Sequence, residues 1–544
     1  MEMLNLSLQS GNPFVTDYLA QSKEVMDFFH YSFLEEASYK ERIKELQSRQ
    51  FMRSEVADYI QKYMKKFSLS PAVLESISKL RKENSVVVIG GQQAGMLTGP
   101  LYSIHKVISI ILLAEQKEKE LGIPVVPVFW IAGEDHDYLE INHIYTPGKE
   151  KMQKTVYPEK VLEKKMASDI PLNQEICKKW MEEVVESFGE TEYTQPLLRL
   201  LKESADQSTT FVDLFSHLTM RLFQQYGLLL VDSGDKDIRL LEKEIFLKQI
   251  SQFQKIAASV MEQQEMVKNR GYSLVIEMSE NPVNLFYYDD NLQERVLLQY
   301  DAEKQLFIGK NSSIQFTSSQ LQEIASEFPN KLSNNVVTRP MTQDLLFPTL
   351  AFIGGPGEIA YWAELKKAFE HMDIKMPPIV PRLNITFLER GVEADIQELD
   401  LDVLDVLING TKEKCAQFLQ SVSNETVEGL VDDMKQYLQE NYRKLEEEIT
   451  KEAKGLLPLL AKNESFLISQ LEFFQGKVAD SVKLKHEVIV NKFNRIERNL
   501  KPEGSLQERI WNITYFLNKY GLGFLDGMME LPMEFDGKHK VIKL

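Results

Sequence analysis

Apolar residues recur at spacings of three and four from Thr16 to about Arg81, through Tyr18, Val25, Phe28, Phe29 and Phe33, with no Gly or Pro between Pro13 and Pro71. This periodicity predicts a helical lead-in over residues 1–80. The pattern then changes. A short apolar run, Val86-Val87-Val88-Ile89, ends in Gly90-Gly91, an amphipathic stretch follows from Leu101 to Glu120, and a second apolar run covers Pro124 to Ala132. Strand, helix and strand in such close succession form the unit of a parallel sheet. Leu228–Asp232, Leu350–Gly354 and Ile379–Arg382 are further short apolar segments that end in turn-forming or polar residues, as buried strands do. The expectation is an α/β protein, a doubly wound Rossmann-type parallel sheet over residues 81–390, interrupted by insertions at about 149–220 and 240–345. The first insertion reads as helical after Leu172. The second combines a helix, Leu240 to Val267, with hairpin-like alternation from Tyr272 to Gly309, turning at Asp289-Asp290-Asn291.

Beyond Arg390 the chain is rich in charge and heptad-like. Val427, Val431, Met434, Leu438, Leu445 and Ile449 form one apolar series, Leu467, Leu471, Phe474, Val478 and Val482 another, and Leu456-Leu457-Pro458 separates them. An antiparallel helical coiled-coil hairpin over 391–503 is expected, or a seam shared with another subunit; a plain amphipathic bundle packed on the core is the alternative. Pro502-Glu503-Gly504 closes it, and residues 504–544 are expected to return towards the core.

The chain has 544 residues, enough for two to four structural units. Lys and Arg number 63 against 81 Asp and Glu, a net charge of -18. That balance argues against nucleic acid as a partner, because counterion release rewards basic surfaces. Cys177 and Cys415, the only two cysteines, exclude a disulfide framework and a thiolate zinc site and suit a reducing compartment. The apolar stretches, such as Val107 to Ala114 and Pro124 to Ala132, are far short of a membrane span. With no basic, then apolar, leader at the N-terminus, a soluble cytoplasmic protein is the expectation.

Chemistry concentrates at the ends of the predicted strands. Gly90-Gly91-Gln92-Gln93-Ala94-Gly95-Met96-Leu97-Thr98-Gly99-Pro100 lies between a strand and a helix, where backbone amides and the helix start can hold an anion, with Lys106 adding charge. It is not a Walker loop, and an ordinary glycine-rich turn remains the bland reading. The second strand runs into Gly133-Glu134-Asp135-His136-Asp137, then Glu140 and His143. On a helix, His136, Glu140 and His143 would share one face and could hold a divalent metal, or His136 could move protons beside the carboxylates. Solvated acidic residues at a helix start are the alternative. A third group comprises Asn335, Arg339, Gln343 and Gly354-Gly355-Pro356-Gly357-Glu358, with Tyr361 one turn on. Glu358 and Tyr361 suit a substrate amine and Arg339 a carboxylate or phosphate; helix capping is the bland reading. Ser505 to Glu508 has the spacing of a capping box, with Arg509 beside it as a possible anion contact.

The blocks GGQQAGMLTGPLYSIHK, VPVFWIAGEDHDYLEIN, NNVVTRPMTQDLLFPTLAFIGGPGEIAYWAEL and PRLNIT closely resemble the cysteine-adding enzyme family of bacillithiol biosynthesis, which is similar in turn to class I aminoacyl-tRNA synthetases. The resemblance implies a Rossmann-type core with two connecting insertions and a coiled-coil domain that promotes homodimerisation. It implies an amide-forming ligase that joins cysteine, its carboxylate activated with ATP and Mg²⁺, to the amine of glucosaminyl malate, with no dedicated protein-bound metal. On that reading Glu134, Asp135, His136, Asp137 and Lys106 are the catalytic candidates. Gln92, Gln93, Thr98, Tyr102, Asn335, Arg339, Glu358 and Tyr361 would bind substrate. Gly90, Gly91, Gly95, Gly99, Gly354, Gly355 and Gly357, with Arg382, Asn384, Thr386, Ser505 and Arg509, would bind nucleotide or another anion. This chain departs from the synthetases in having Leu101-Tyr102-Ser103-Ile104-His105-Lys106 where they carry H-x-G-H, and Lys375-Met376-Pro377-Pro378 as its nearest approach to K-M-S-K. Asn384 stands where a serine is expected. A metal-dependent hydrolase built on the Glu134–His143 cluster and a non-catalytic nucleotide-binding scaffold are the alternative functions.

Overall fold

The computed structural model describes residues 1–67, 69–148, 151–161, 164–289 and 293–544. The chain divides into two compact units: one of Met1–Gly148, Met152–Phe387 and Ser505–Leu544, the other containing Leu388–Gly504.

The first unit is built on a five-stranded parallel sheet. Val86–Gln92, Val125–Ile131, Leu229–Asp232, Thr349–Gly354 and Ile379–Pro381 lie side by side in the chain order third, second, first, fourth, fifth. These segments read as nearly unbroken Val/Ile/Leu/Phe runs because both sheet faces are covered, and Val86 to Gly90 and all of Val125–Ile131 are buried. The helix expected from Leu101 spans Leu101–Leu121 and ends at Gly122, whose φ of +65° is the left-handed cap that glycine adopts freely. Doubly wound order of this kind reverses direction between the first and fourth strands, and a crevice opens there.

The N-terminal segment is helical as its period predicts, but it begins with a strand, Glu2–Leu6, that the apolar pattern did not announce. That strand pairs antiparallel with His539–Lys543, which also borders Asn384–Leu388. The first insertion carries helices Gln174–Glu186, Thr194–Asp206 and Phe211–Phe223 after a hairpin of His143–Pro147 and Met152–Val156. The second contains helix Lys243–Asn269 and strands Pro282–Asp289, Glu294–Asp301 and Leu306–Gly309 around a small core of its own, with Phe246, Leu285, Leu298 and Phe307. The Asp290-Asn291 part of the expected hairpin turn lies outside the described residues.

In the second unit, helices Glu425–Glu452 and Leu457–Lys485 form an antiparallel hairpin, with Lys435 Nζ donating to Gln475 Oε1 at 2.5 Å and Tyr442 hydrogen-bonded to Asn463. Asn424 caps the first of them, its side chain accepting from the Thr426 and Val427 amides. Met434, Phe473 and Phe474 remain more than half exposed on this hairpin. No helix among the described residues is long and apolar enough to cross a membrane.

Candidate functional site

A cavity of about 390 Å³ opens at the crevice between the first and fourth strands. Its sheet side is formed by Gly91, Trp130 and Phe352, and its walls carry Lys106, Arg339, Arg382 and Arg509 together with Asp135, Glu140 and Glu358. Four cations and three carboxylates at one sheet edge suit a ligand bearing charges of both signs.

Lys106 comes from the second turn of helix Leu101–Leu121 and is 1% exposed. Its ammonium donates to the Gly91 carbonyl at 2.6 Å, to Gln92 Oε1 at 3.2 Å and to Glu358 Oε2 at 2.5 Å. Burial pushes the Lys106 pKa down, and the Glu358 carboxylate opposes this. Glu358 also accepts from the Gly355 amide at 2.7 Å, which fixes the start of helix Pro356–Trp362.

Arg382 follows the last strand and is tied to the neighbouring fourth strand by its amide, which donates to the Gly354 carbonyl at 2.9 Å. Its Nη2 donates to Glu508 Oε1 at 2.6 Å and to Asn384 Oδ1 at 3.2 Å, while its buried Nε has no partner among the described residues. Glu508 Oε2 lies 3.3 Å from His105 Nδ1. Burial would raise the Glu508 pKa, yet Arg382 and His105 hold it down to about 2, so a fixed carboxylate orients the cavity's buried arginine. Arg509 is exposed at the cavity lip and forms no side-chain hydrogen bond or ion pair among the described residues.

The acidic cluster after the second strand is arranged differently from the sequence expectation. Glu134 is fully buried; its carboxylate bonds to Arg239 and accepts from Arg339 Nε at 2.6 Å, with Arg295 at 3.9 Å. Asp135 accepts from Arg339 Nη2 at 2.5 Å and Arg295 Nη1 at 3.2 Å. Burial alone would raise both carboxyl pKa values; the guanidiniums reverse it and hold both below the usual range. Behind them Asp232 accepts from Ser168 Oγ at 2.8 Å and from the Gly234 amide at 2.8 Å, and burial pushes its pKa up to about 7 against these two hydrogen bonds and the charge of Arg239.

Asp232 yields a pH prediction. Between an unfolded pKa near 3.8 and a folded pKa near 7, the native state holds a proton that the unfolded chain has released. Its contribution is therefore most favourable below about pH 4 and declines as pH rises to about 7. Asp232→Asn removes this titration. The variant is expected to gain stability relative to the parent by roughly 3–4 kcal/mol between pH 4 and pH 8. Denaturant unfolding of both proteins across that range checks it; a pH-independent difference would refute it.

Residues 1–383 match the family model described as "Bacillithiol biosynthesis BshC, N-terminal Rossmann-like domain", and residues 385–544 the one described as "Bacillithiol biosynthesis BshC, C-terminal coiled-coil domain". The chain belongs to the BshC family. It is 42% identical over 542 residues to a protein of Geobacillus kaustophilus (strain HTA426) and 41% identical over 545 residues to one of Bacillus cereus (strain AH187). In each case the whole of both chains is covered, and each relative bears the name "Putative cysteine ligase BshC".

In this BshC-family chain the cavity gathers many of the residues singled out by sequence. Gly91, Gln92, Gln93, Tyr102, Lys106, Asp135, Arg339, Gly355, Gly357, Glu358, Tyr361, Arg382 and Arg509 line it. Others have structural neighbours instead. A Cβ on Gly90 would stand 3.0 Å from the Ile353 carbonyl, one on Gly354 would meet Ile379 at 3.2 Å, and one on Gly95 would meet Gly99 Cα at 2.8 Å. Thr98 is buried, and its turn is held by Asn512 Nδ2, which donates to the Leu97 and Gly99 carbonyls at 2.9 and 2.6 Å. The Leu101 amide donates to the Trp511 carbonyl at 2.8 Å, so the helix start expected to hold an anion is capped in part by the C-terminal segment. Asn335 Oδ1 caps the turn at Val337 and Thr338, and Thr386 Oγ1 pairs with His539 Nε2 at 2.8 Å. Asn384 reaches the site only through Arg382.

Two expectations are corrected outright. His136, Glu140 and His143 share no helix face, because the only helix there is Tyr138–Ile141 and His143 begins a strand. No cluster of three His, Cys, Asp or Glu side chains that could hold a metal occurs among the described residues. Ser505 to Glu508 forms no capping box; the helix is Gln507–Ile510, its N-cap is Leu506, and Glu508 turns inward to Arg382. Glu134 is enclosed by arginines away from the cavity lining, while His136 packs against Phe286 and Asp137 is exposed. Gln343, which the third group named, also lines the cavity, whereas sequence reasoning overlooked Trp130 and Phe352, which line it, and took Glu508, which lies behind it, for part of a helix cap. The register offered a signal for two of them: Trp130 pairs with Gly91 and Phe352 with Ile89, which places both aromatics on one sheet face.

Proposed function

We propose that this chain is an ATP-dependent, amide-forming ligase that joins the carboxyl of cysteine to the amine of glucosaminyl malate, giving bacillithiol. The observation that carries the reading is the switch-point cavity, where the Nε of Arg382 and the side chain of Arg509, both without a partner among the described residues, adjoin carboxylates. Arg382, Arg509 and Lys106 would hold carboxylate or phosphate oxygens, and Glu140, which forms no side-chain hydrogen bond or ion pair among the described residues, would hold a substrate ammonium. ATP supplies the leaving group that makes the cysteine carboxyl reactive. Fixed cations around that carboxyl stabilise charge as the amine attacks. Asp135 is engaged by Arg295 and Arg339, and Glu358 by Lys106 and the Gly355 amide, so a carboxylate cage for Mg²⁺ is a poor fit to this site. The ion would instead be held by the nucleotide's own phosphates. The exposed Met434, Phe473 and Phe474 support homodimerisation through the helical hairpin.

Incubating the pure protein with ATP, Mg²⁺, cysteine and glucosaminyl malate is expected to yield bacillithiol, followed by mass spectrometry. AMP as the second product would assign nucleotidyl transfer to the carboxyl, and ADP phosphoryl transfer. Folded protein that forms no bacillithiol with ATP or any other nucleoside triphosphate would overturn the reading.

A further inference from the structure

Trp130 lies near the C-terminal end of the second strand, opposite Gly91, and is 1% exposed. Its indole Nε1 has no hydrogen-bond partner among the described residues, although the side chain lines the cavity. A buried donor without an acceptor is costly; the Trp180 and Trp362 indoles are likewise without a partner among the described residues, but of the three only Trp130 lines the cavity. Gly91 is required for the arrangement: a Cβ there would stand 2.8 Å from the Trp130 carbonyl and 3.3 Å from Trp130 Cβ. Across the strand, Phe352 faces the same side of the sheet, and Ala132 adds a third apolar contact. The result is a neutral, soft-walled patch with a single hydrogen-bond donor on the floor of an otherwise charged cavity.

We propose that this patch receives the side chain of the cysteine substrate, with the sulfur accepting from Trp130 Nε1–H and resting against the aromatic faces of Trp130 and Phe352. The proposal rests on the cysteine-ligase reading and adds how the amino acid is chosen. Cysteine's ammonium and carboxylate match the charged walls, and its thiol is the one neutral group left for the neutral patch. The side chains of Trp130, Ala132 and Phe352 offer one donor and no acceptor. A serine hydroxyl placed there would accept but leave its own O–H unpaired, whereas a thiol is a weak donor that loses little, and sulfur gains from aromatic contact. Selection of cysteine over serine then needs no metal-bound thiolate.

The test is to titrate cysteine and serine separately into the full chain and into Trp130→Phe, which keeps an aromatic ring and removes the donor, following binding by calorimetry and by tryptophan emission. Parent protein is expected to bind cysteine at least about tenfold tighter than serine, with an emission change that Trp130→Phe abolishes. Trp130→Phe is expected to weaken cysteine about 5–10-fold, leave serine within about twofold, and raise the KM for cysteine with little change in kcat. An unchanged cysteine affinity in folded Trp130→Phe, with parent turnover intact, overturns this inference and leaves the ligase reading standing. A parent protein that neither binds nor consumes cysteine overturns both.

Discussion

Arg382→Met is expected to destabilise the protein by about 3–5 kcal/mol and to reduce condensation by at least about 10²-fold. The two losses have separate causes. Glu508 is 2% exposed, and its carboxylate is held down to about 2 mainly by Arg382. Without the guanidinium, the buried carboxylate keeps His105 at 3.3 Å as its one side-chain partner among the described residues, and burial pushes the pKa values of His105 and of nearby His539 down, against the charged form the pairing needs. Removing one partner of a buried pair costs far more than removing both. The double variant Arg382→Met/Glu508→Leu should therefore recover much of the lost stability while remaining inactive, because the cavity still lacks its cation. Denaturant unfolding of the two single variants and the double variant measures the coupling; strict additivity would exclude the pairing as the source.

Lys106→Met should produce the opposite balance, a fall in condensation of about 10²–10³-fold with a stability change within about 1–2 kcal/mol. Its partner Glu358 is not stranded, since that side chain is 23% exposed and keeps the Gly355 amide as a donor. Lys106→Arg is not expected to rescue activity. The ammonium is a compact donor set between the Gly91 carbonyl, Gln92 and Glu358, and a planar guanidinium presents its donors in another geometry. Steady-state kinetics with unfolding measured in parallel checks both variants. Near-parental turnover in Lys106→Met would remove Lys106 from the reaction.

The acidic run after Ile131 shows where reading the sequence went astray. Glu134-Asp135-His136-Asp137 resembles a ligand set because four polar groups lie together at a strand end. Arg239, Arg295 and Arg339 stand more than a hundred residues away in the chain, and they take up the two buried carboxylates. The same applies to Glu508, whose spacing from Ser505 suggested a helix cap while its partner Arg382 lies far earlier in the chain. Trp130 carried no chemical signal of its own, since an aromatic residue in an apolar run is ordinary core; only its pairing with Gly91 makes it part of the cavity.

Local pattern was enough for the elements that pattern governs. The five core strands follow from short unbroken apolar runs bounded by Gly, Pro or polar residues, because both their faces are buried; the helix from Leu101, the helices of the insertions and the hairpin divided near Pro458 follow from the 3.6-residue period, because burial of one face imprints that repeat on the sequence. The order of the strands, the strand Glu2–Leu6 on its C-terminal partner, and the matching of Glu134 and Glu508 with their guanidiniums were decided by the tertiary structure alone. Such pairings are set by distance in space and by the cost of leaving a charge or a backbone amide unsatisfied in the interior, and neither leaves a periodic trace along the chain.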